Sequence, residues 1–381
     1  MVETRGRSAA IGMVLALALV VSSCGEDTSS GGSSEGGLPD TVKIGVLTSL
    51  TGPHAGSCSD ERDGGALAVE LANERQSDTE FELVEQDDVS TPEGAVTGFA
   101  ALTGEDVAGI FGLCNSEGAL AVYESVDDGG IPLMLTTASA AGVIDPELVF
   151  RGGVNQLDFV DRTAKLVGED SHEKVYAVHQ TDNPVIVQEW DDIFKPQFDD
   201  LGIEVVGDSG ITADMVDYST PISEIRSSDA TAIVLLLSGK ANITFNDQAK
   251  SAGLELPVYG QLSMANEAYV ETPSSVGSIF GTSFDPSFPF PASVEFEQAY
   301  EEKYGRNPYF SAAGGYDSAN RLIDAILEAK STDGEDIAAA LNAQTDLEGA
   351  QGTMSTNDDG SVKGTGGIVR VTEDNTTEFV E

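Results

Sequence analysis

The chain has 381 residues, of which 40% are hydrophobic, enough to bury a sizeable core divided between two lobes. It has 19 Lys and Arg against 65 Asp and Glu, so its formal net charge is −46. This excess of negative charge argues against nucleic-acid binding and against electrostatic adhesion to an anionic membrane surface. The three histidines have no ligand-like spacing, so we expect neither a metal site nor a cofactor.

The first 23 residues have the pattern of a lipoprotein signal peptide. Arg5 and Arg7 precede an apolar stretch at 11–21, which is too short to span a bilayer. The tetrapeptide at 21–24 resembles a bacterial lipobox, which implies cleavage before Cys24 and lipid attachment to its sulfur. The alternative is an ordinary secretory signal with an incidental cysteine. We expect a lipid-anchored protein on the extracytoplasmic face of the cytoplasmic membrane.

A flexible tether follows the signal. Residues 24–40 are mostly glycine, serine, threonine and acidic residues, which cannot bury enough apolar surface to become ordered. The globular part therefore begins near residue 41. The predicted signal peptide, 1–23, and the lipidated tether, 24–40, lie outside it.

Short β-branched runs then alternate with helical segments in two successive blocks. The first helix is predicted over 64–73, and the second begins with Thr91 and Pro92. This alternation predicts two parallel sheets with right-handed crossovers. The predicted strands are 42–47, 81–84, 107–111 and 131–135 in the first block, and 174–179, 204–206 and 232–237 in the second.

The last ninety residues follow a different pattern. Helices are predicted over 293–304 and 316–329, and 352–371 reads as one β-hairpin that turns at 357–360. Helices that belong with the first block and strands that belong with the second require the chain to cross between the lobes more than once.

Several segments together carry a resemblance to known proteins. They are 42–53 (VKIGVLTSLTGP), 64–69 (GGALAV), 81–84 (FELV) with Asp87 and Asp88, 112–116 (GLCNS), 130–133 (GIPL), 149–151 (VFR), 248–254 (QAKSAGL), 296–305, 316–319 (YDSA) and the final hairpin. In combination they resemble the leucine/isoleucine/valine-binding protein family, the substrate-binding subunits of branched-chain amino-acid ABC importers. The resemblance covers nearly all of residues 41–371.

The resemblance implies an α/β fold with two Rossmann-like lobes, whose parallel central sheets are joined by a three-stranded hinge, the type I periplasmic-binding-protein fold. The N-terminal lobe would comprise 41–160 plus 284–333, and the C-terminal lobe 161–283 plus 334–381. A ligand would lie in the interlobe cleft, outside the carboxyl ends of the strands, and hinge closure would enclose it.

In the first lobe, the resemblance implies that loops after two strands bind the ligand's carboxylate and amine. Free backbone N–H groups at a helix N-terminus favour an anion at such turns. The alternative role for these side chains is helix capping or turn formation. The candidate residues are Asn115, Ser116, Thr137, Ala138 and Ser139, with Ser57 in the loop after the first strand.

In the second lobe, the sequence departs from the amino-acid-binding pattern. The family's aromatic residues fall on Pro184 and on Ser238 or Gly239, and the carboxylate that pairs the ligand's ammonium falls on Leu262. Asp182 is a nearby acid, with a loop turn as its alternative role. Because burying an ammonium without a counter-ion costs several kcal/mol, we expect a ligand with a carboxylate or amide and a largely apolar remainder. Asp182, Ser238 and Leu262 are the candidate contacts.

Three further residues have alternative roles. With Cys24 lipidated, Cys58 and Cys114 remain as a pair in an oxidising compartment, and both are expected in loops at the ends of neighbouring strands. A disulfide is therefore predicted, with two buried thiols as the alternative. Arg151 is predicted to make an inter-lobe structural contact, with direct pairing to the ligand as the alternative.

The predicted function is that of an extracytoplasmic solute-binding lipoprotein of an ABC importer, not an enzyme. It would bind a small amino-acid-like or carboxylate or amide solute, dock as a monomer on permease subunits, and contact the membrane through the lipid on Cys24. A lipid-anchored sensor with the same fold is one alternative. A hydrolase using Ser49 or Ser139 with His54 is another, but the Gly-x-Ser-x-Gly match at 32–36 lies in the tether.

Overall fold

The computed structural model describes residues 37–138 and 147–381. The predicted signal peptide, Cys24, most of the tether and Ser139 lie outside the described residues. Within them, no helix is both long enough and apolar enough to cross a membrane.

The first lobe is built on a five-stranded sheet in which every pair of neighbours is parallel, in the order β2-β1-β3-β4-β5. Its central strands are short and buried on both faces, which explains their continuous apolar runs. The strands are β1 Thr41–Thr48, β2 Glu80–Asp87, β3 Gly109–Gly112, β4 Leu133–Leu135 and β5 Val149–Arg151. The helices between them are α1 Ala55–Arg75, α2 Pro92–Thr103 and α3 Ser116–Gly129.

Helix α1 begins nine residues before the predicted start at Gly64. The carboxylate of Asp87 accepts hydrogen bonds from the backbone N–H groups of Leu50 and Thr51, at 2.9 and 3.2 Å, and from the Thr51 hydroxyl. These bonds complete the loop after β1 early, so the chain is helical from Ala55. The expectation that Ser57 and Cys58 lie in a loop was therefore wrong, since both belong to the first turn of α1.

The second lobe is built on a seven-stranded sheet in the order β15-β14-β10-β9-β8-β6-β7. Its strands are β6 Lys174–Gln180, β7 Glu204–Ile211, β8 Ala232–Leu236, β9 Val258–Gly260, β10 Ile279–Thr282, β14 Gly367–Val371 and β15 Thr377–Phe379. Strand β14 is antiparallel to both of its neighbours, β10 and β15. The other five strands, from β10 to β7 in the sheet order, are parallel to one another. The helices are α4 Gln156–Glu169, α5 Pro184–Gln188, α6 Lys195–Leu201, α7 Ser219–Ser227, α8 Lys240–Ser251 and α9 Glu267–Val270, with a π-helical turn at Glu189–Phe194.

The remaining elements lie between β10 and β14 in the chain. They are α10 Pro291–Tyr304, α11 Phe310–Ala329, α12 Gly334–Ala343 and a small antiparallel sheet of β11 Leu347–Gly349, β12 Gly352–Thr356 and β13 Val362–Gly364. The predicted single hairpin over 352–371 was wrong in extent. The hairpin ends with β13, and β14 pairs with β10. The chain changes direction there because Gly366 adopts φ +49°, and the apolar Ile368 and Val369 are then buried in the second lobe.

The chain crosses between the sheets in three segments. They join β5 to α4 at 152–155, β10 to α10 at 283–290, and α12 to β14 at 344–366. Helix α12 packs against α11 and contributes Ile337 and Leu341 to the core of the first lobe. The third crossing thus follows α12, beyond the predicted boundary at 333, while the lobe boundaries otherwise stay predictions.

Two buried side chains of α11 hold these crossings together. The guanidinium of Arg321 donates to the carbonyl oxygens of Arg151 and Gly152, at 2.6 and 3.3 Å, and also to Gln344 and Thr356. One turn earlier, the Asp317 carboxylate accepts the backbone N–H groups of Ala350 and Gln351, together with the Gln351 side-chain amide. The first and third crossings are therefore bound to one helix of the first lobe.

The predicted disulfide forms between Cys58 in α1 and Cys114 in the loop after β3, with their Cα atoms 5.6 Å apart. It joins two segments separated by 56 residues. Such a bridge stabilises the fold chiefly by restricting the unfolded chain, more so for long loops.

We expect the double variant Cys58→Ala/Cys114→Ala to lose about 4 kcal/mol of unfolding free energy, the loop-entropy cost of a bridge of this length. Urea denaturation followed by circular dichroism measures the loss. Dithiothreitol should lower the stability of the unmodified protein by a similar amount and leave the double variant unchanged. Equal stability of the unmodified protein with and without reductant would contradict the prediction.

Candidate functional site

The cleft between the lobes contains two adjoining cavities with volumes of about 30 and 220 Å³. They share Gln156, Leu262 and Phe310, and they lie outside the carboxyl ends of strands from both sheets. All three crossing segments contribute to the smaller cavity, through 153–155, Ser283 and Gln351. This is the position at which open parallel sheets bind their ligands. A groove of about 740 Å³ lies between α7 and α8, and no strand residue lines it among those that the structure describes.

On the first-lobe side, the smaller cavity is lined by Thr136 and Thr137, which directly follow β4. Both hydroxyls donate to one oxygen of the Glu61 carboxylate, the Thr137 bond being 2.6 Å long. The hydroxyl of Thr48, at the end of β1, donates to the other oxygen at 2.9 Å. A carboxyl on α1 thus holds the cavity wall in place from behind.

Burial raises the pKa of Glu61 to about 7. Desolvation is the largest cause, and the negative charge of Asp88 adds to it, whereas the three threonine hydroxyls act in the opposite direction. The side chain is fully buried, so it acts on the cleft through the threonines that it positions.

Of the predicted first-lobe residues whose side chains the structure describes, Thr137 lines a cavity. The side-chain oxygen of Asn115 accepts from the Gly118 N–H at 2.7 Å, so Asn115 caps α3, and Ser116 is the first residue of that helix. The carbonyl oxygen of Ala138 accepts from the Arg151 guanidinium. Ser57 belongs to the first turn of α1. Helix capping, the alternative weighed for Asn115, is what its side chain does.

On the second-lobe side, Ser238 follows β8, Leu262 follows β9, and both line the larger cavity as their strand-end positions imply. The Asn183 amide donates to the Ser238 hydroxyl at 3.3 Å. The placement of Asp182 in the cleft was wrong. Its exposed carboxylate accepts the Ala213 N–H at 3.0 Å, and this backbone bond lowers the pKa of Asp182.

Most of the lining was not predicted, and its unpredicted residues include Gln156, Asn183, Gln261 and Phe310. Gln261 comes directly after β9, so the rule that ligands bind at strand ends could have identified it. Gln156 and Phe310 begin α4 and α11, and nothing in their local sequence indicates that they meet. Among the described residues, no group of three or more His, Cys, Asp or Glu side chains is arranged to hold a metal ion.

Gln156 is itself oriented by a buried acid. Its side-chain N–H donates to one oxygen of Glu189 at 2.7 Å, while the other Glu189 oxygen is buried without a hydrogen-bond partner. Burial raises the pKa of Glu189 to about 8. This bond uses one of the two amide N–H groups, so the second N–H and the carbonyl oxygen of Gln156 are left for a ligand.

We expect Glu61→Gln to change how stability depends on pH. The folded pKa of about 7 lies above the ordinary value of 4.5, so the folded state holds this proton more tightly than the unfolded state. The stabilisation that this bound proton gives the folded state is complete below pH 4.5 and is lost as pH rises through 7. The variant should therefore gain on the order of 3 kcal/mol relative to the unmodified protein between pH 4.5 and 8.

Urea denaturation at several pH values measures this difference. Glu302→Gln, at an exposed position of α10, is the matched control and should run parallel to the unmodified protein. A constant difference between the Glu61→Gln variant and the unmodified protein across this range would show that burial does not perturb Glu61.

Comparison with known proteins gives the same fold and a family. The model of the periplasmic binding protein family matches residues 41–376. A Leu/Ile/Val-binding protein homologue of Brucella suis is 24% identical over 336 residues, covering 82% of this chain and 83% of the relative. A second relative, the leucine-, isoleucine-, valine-, threonine- and alanine-binding protein of Pseudomonas aeruginosa, is 23% identical, covering 85% and 88%.

Solved structures agree on the architecture. The branched-chain amino-acid transporter substrate-binding protein LivJ of Streptococcus pneumoniae, in complex with isoleucine, has a TM-score of 0.77 at 22% identity, covering 89% of this chain and 99% of its own. An ABC-transporter solute-binding protein of Rhodopseudomonas palustris, in complex with 3,4-dihydroxybenzoic acid, has a TM-score of 0.76 at 19% identity, covering 87% and 93%. The predicted two-lobed α/β fold is confirmed, and the chain belongs to the periplasmic binding protein family.

Proposed function

We propose that the protein is an extracytoplasmic solute-binding lipoprotein of an ABC importer, which captures a small solute in the interlobe cleft by hinge closure. The observation that carries this proposal is the cleft itself. Its walls come from strand ends of both sheets, and the three segments that join the lobes all border it. A solute that contacts both walls would favour the closed arrangement over the open one.

The relatives support solute binding as the activity. One structural relative is in complex with an amino acid, isoleucine, and another with an aromatic acid, 3,4-dihydroxybenzoic acid. The solute proposed here is accordingly amino-acid-like or a carboxylate or amide. Thr137, Ser238 and Leu262 are proposed to contact it, and Gln156 joins them on the strength of its position in both cavities.

The proposed partners are permease subunits in the cytoplasmic membrane. Solute closure would change the relative position of the two lobes, and a permease would recognise the closed form. The lipid on Cys24 would keep the monomeric protein near that permease, and the acidic surface would keep it from adhering to the membrane by charge.

A thermal-shift screen of the purified protein tests solute binding. We expect a member of a panel of amino acids, aliphatic amides, short-chain acids and aromatic acids to raise the melting temperature. A ligand at a hundred times its Kd stabilises by about 2.7 kcal/mol, which a melt detects. The absence of any stabilising compound across the panel, extended to sugars and amines, would contradict the proposed function.

Two tryptophan variants locate the binding site. Ser238→Trp should fill the cavity of about 220 Å³ and abolish the ligand-induced shift. Ser223→Trp, in the outer groove between α7 and α8, is the matched control and should retain the shift. Loss of the shift in the control alone would place the solute in that outer groove.

We expect Cys24→Ala to release the protein from the membrane, because the acyl chains that anchor it each contribute about 0.8 kcal/mol per buried CH₂. Fractionation of cells that produce the full chain, followed by immunoblotting, measures its distribution. The Cys58→Ala/Cys114→Ala variant should stay in the membrane fraction. Retention of Cys24→Ala in that fraction would show that another feature anchors the protein.

A further inference from the structure

The described lining of the cleft includes one charged side chain. Of the described residues that line its two cavities, Arg151 is the one with a charged side chain, and no Asp or Glu is among them. The other polar groups of the lining are threonine and serine hydroxyls and the amides of asparagine and glutamine. Among neutral donors and acceptors, a single cation determines which sign of charge the cleft favours in a ligand.

The hydrogen-bonding capacity of Arg151 is not used up. One terminal nitrogen donates to the carbonyl oxygen of Ala138, while Nε is buried without a partner. None of the ion pairs among the described residues involves Arg151. Burial lowers the pKa of its guanidinium, and the negative charge of Asp359 acts in the opposite direction. A buried donor without an acceptor is destabilising, more so when it is charged, and a bound anion would remove that cost.

The two cavities differ in size, so each would hold a different part of a ligand. The cavity of about 30 Å³ beside Arg151, Thr136 and Thr137 exceeds the roughly 10–15 Å³ that one water molecule needs, so it has room for one small polar group such as a carboxylate. The cavity of about 220 Å³ takes the remainder. Its apolar lining is Val185, Ile186, Leu262 and Phe310, and its polar lining is Gln156, Asn183, Ser238, Gln261 and Ser263.

Among the described residues, the lining of the cleft includes no carboxylate that could pair with an ammonium group. The buried acids next to the lining are Glu61, whose carboxylate accepts from Thr136 and Thr137, and Glu189, which accepts from Gln156. Burial raises their pKa values to about 7 and about 8, so neither supplies a full negative charge at neutral pH. A buried ammonium would stay without a paired charge, at a cost of several kcal/mol.

We propose that Arg151 binds the carboxylate of the cleft ligand, and that this ligand is a small carboxylic acid with an uncharged body and no ammonium group. The inference rests on the proposed solute-binding function and narrows its ligand class. It assigns to Arg151 the direct pairing with the ligand that the sequence analysis kept as the alternative to an inter-lobe structural contact.

Isothermal titration calorimetry of the purified protein with matched probes tests the ligand class. The probes are 4-methylpentanoate, its amide 4-methylpentanamide, and leucine, which is the same acid with an ammonium added, together with the benzoate and benzamide pair. We expect at least one acid to bind about 10–100-fold more tightly than its amide, as a charge-assisted hydrogen bond implies. Leucine should bind more weakly than 4-methylpentanoate.

Two variants test Arg151 itself. Arg151→Gln should weaken binding of the acid about 10–100-fold and leave the amide within about threefold, so that selectivity for the acid is lost. Arg151→Lys should restore part of that selectivity, because it keeps the charge but not the planar fork. Arg162→Gln is the matched control, since Arg162 donates to the Thr365 carbonyl and does not line the cavities. Its acid-to-amide ratio should be unchanged.

The outcomes separate this inference from the proposed function. Tighter binding of leucine than of 4-methylpentanoate, or a sugar or amine as the best ligand in the screen, overturns the inference and keeps the function. Equal weakening of acid and amide by Arg151→Gln shows a structural role for Arg151 and also overturns it. If no compound of any class binds, the proposed function fails first. If Arg151→Gln does not fold, the acid-to-amide ratio of the unmodified protein and the Arg151→Lys variant decide.

Discussion

The cleft depends on the buried guanidinium of Arg321, which binds two of the three segments that join the lobes. It donates to the backbone carbonyls at the start of the first crossing and to Gln344 and Thr356 in the third. Removing a buried, fully hydrogen-bonded charge typically costs several kcal/mol, because its partners stay buried. Since the acceptors lie far apart in sequence, one side chain of α11 defines where the hinge begins on the first lobe.

A second layer of buried polar groups extends from this hinge to the cleft. Asp317 holds the amide of Gln351, whose carbonyl oxygen accepts the Val154 N–H at 3.2 Å and fixes the first crossing. Glu61 holds the threonines after β4 in the same way, and Glu189 holds Gln156. Thr136, Thr137, Gln156 and Gln351 are thus positioned by acids that do not line the cleft. Among the described lining residues, Arg151 is then the one with a charged side chain.

Most of the fold and part of the site could be predicted from local patterns. The alternation of strands and helices gave both sheets, and Thr91 and Pro92 begin α2 as expected. Residues directly after strands, such as Thr137 and Ser238, lie in the cleft because parallel strands place their carboxyl ends at one edge. Asp182 also follows a strand but turns toward the loop after β7, since a nearby backbone N–H satisfies its carboxylate.

The sequence by itself determined the fold class and the strand ends that face the cleft, because these depend on periodicity and on residues close in the chain. The resembling segments indicated the family, and the assignment of Cys24 to lipid left Cys58 and Cys114 as the predicted disulfide pair. Only the tertiary structure decided that Gln156 and Phe310 meet, that α12 packs on the first lobe, and that Glu61 lies behind Thr136, 75 residues away. These contacts join segments that are distant in the chain, and the local sequence of one segment does not identify the other. They form only because packing and burial bring the segments together.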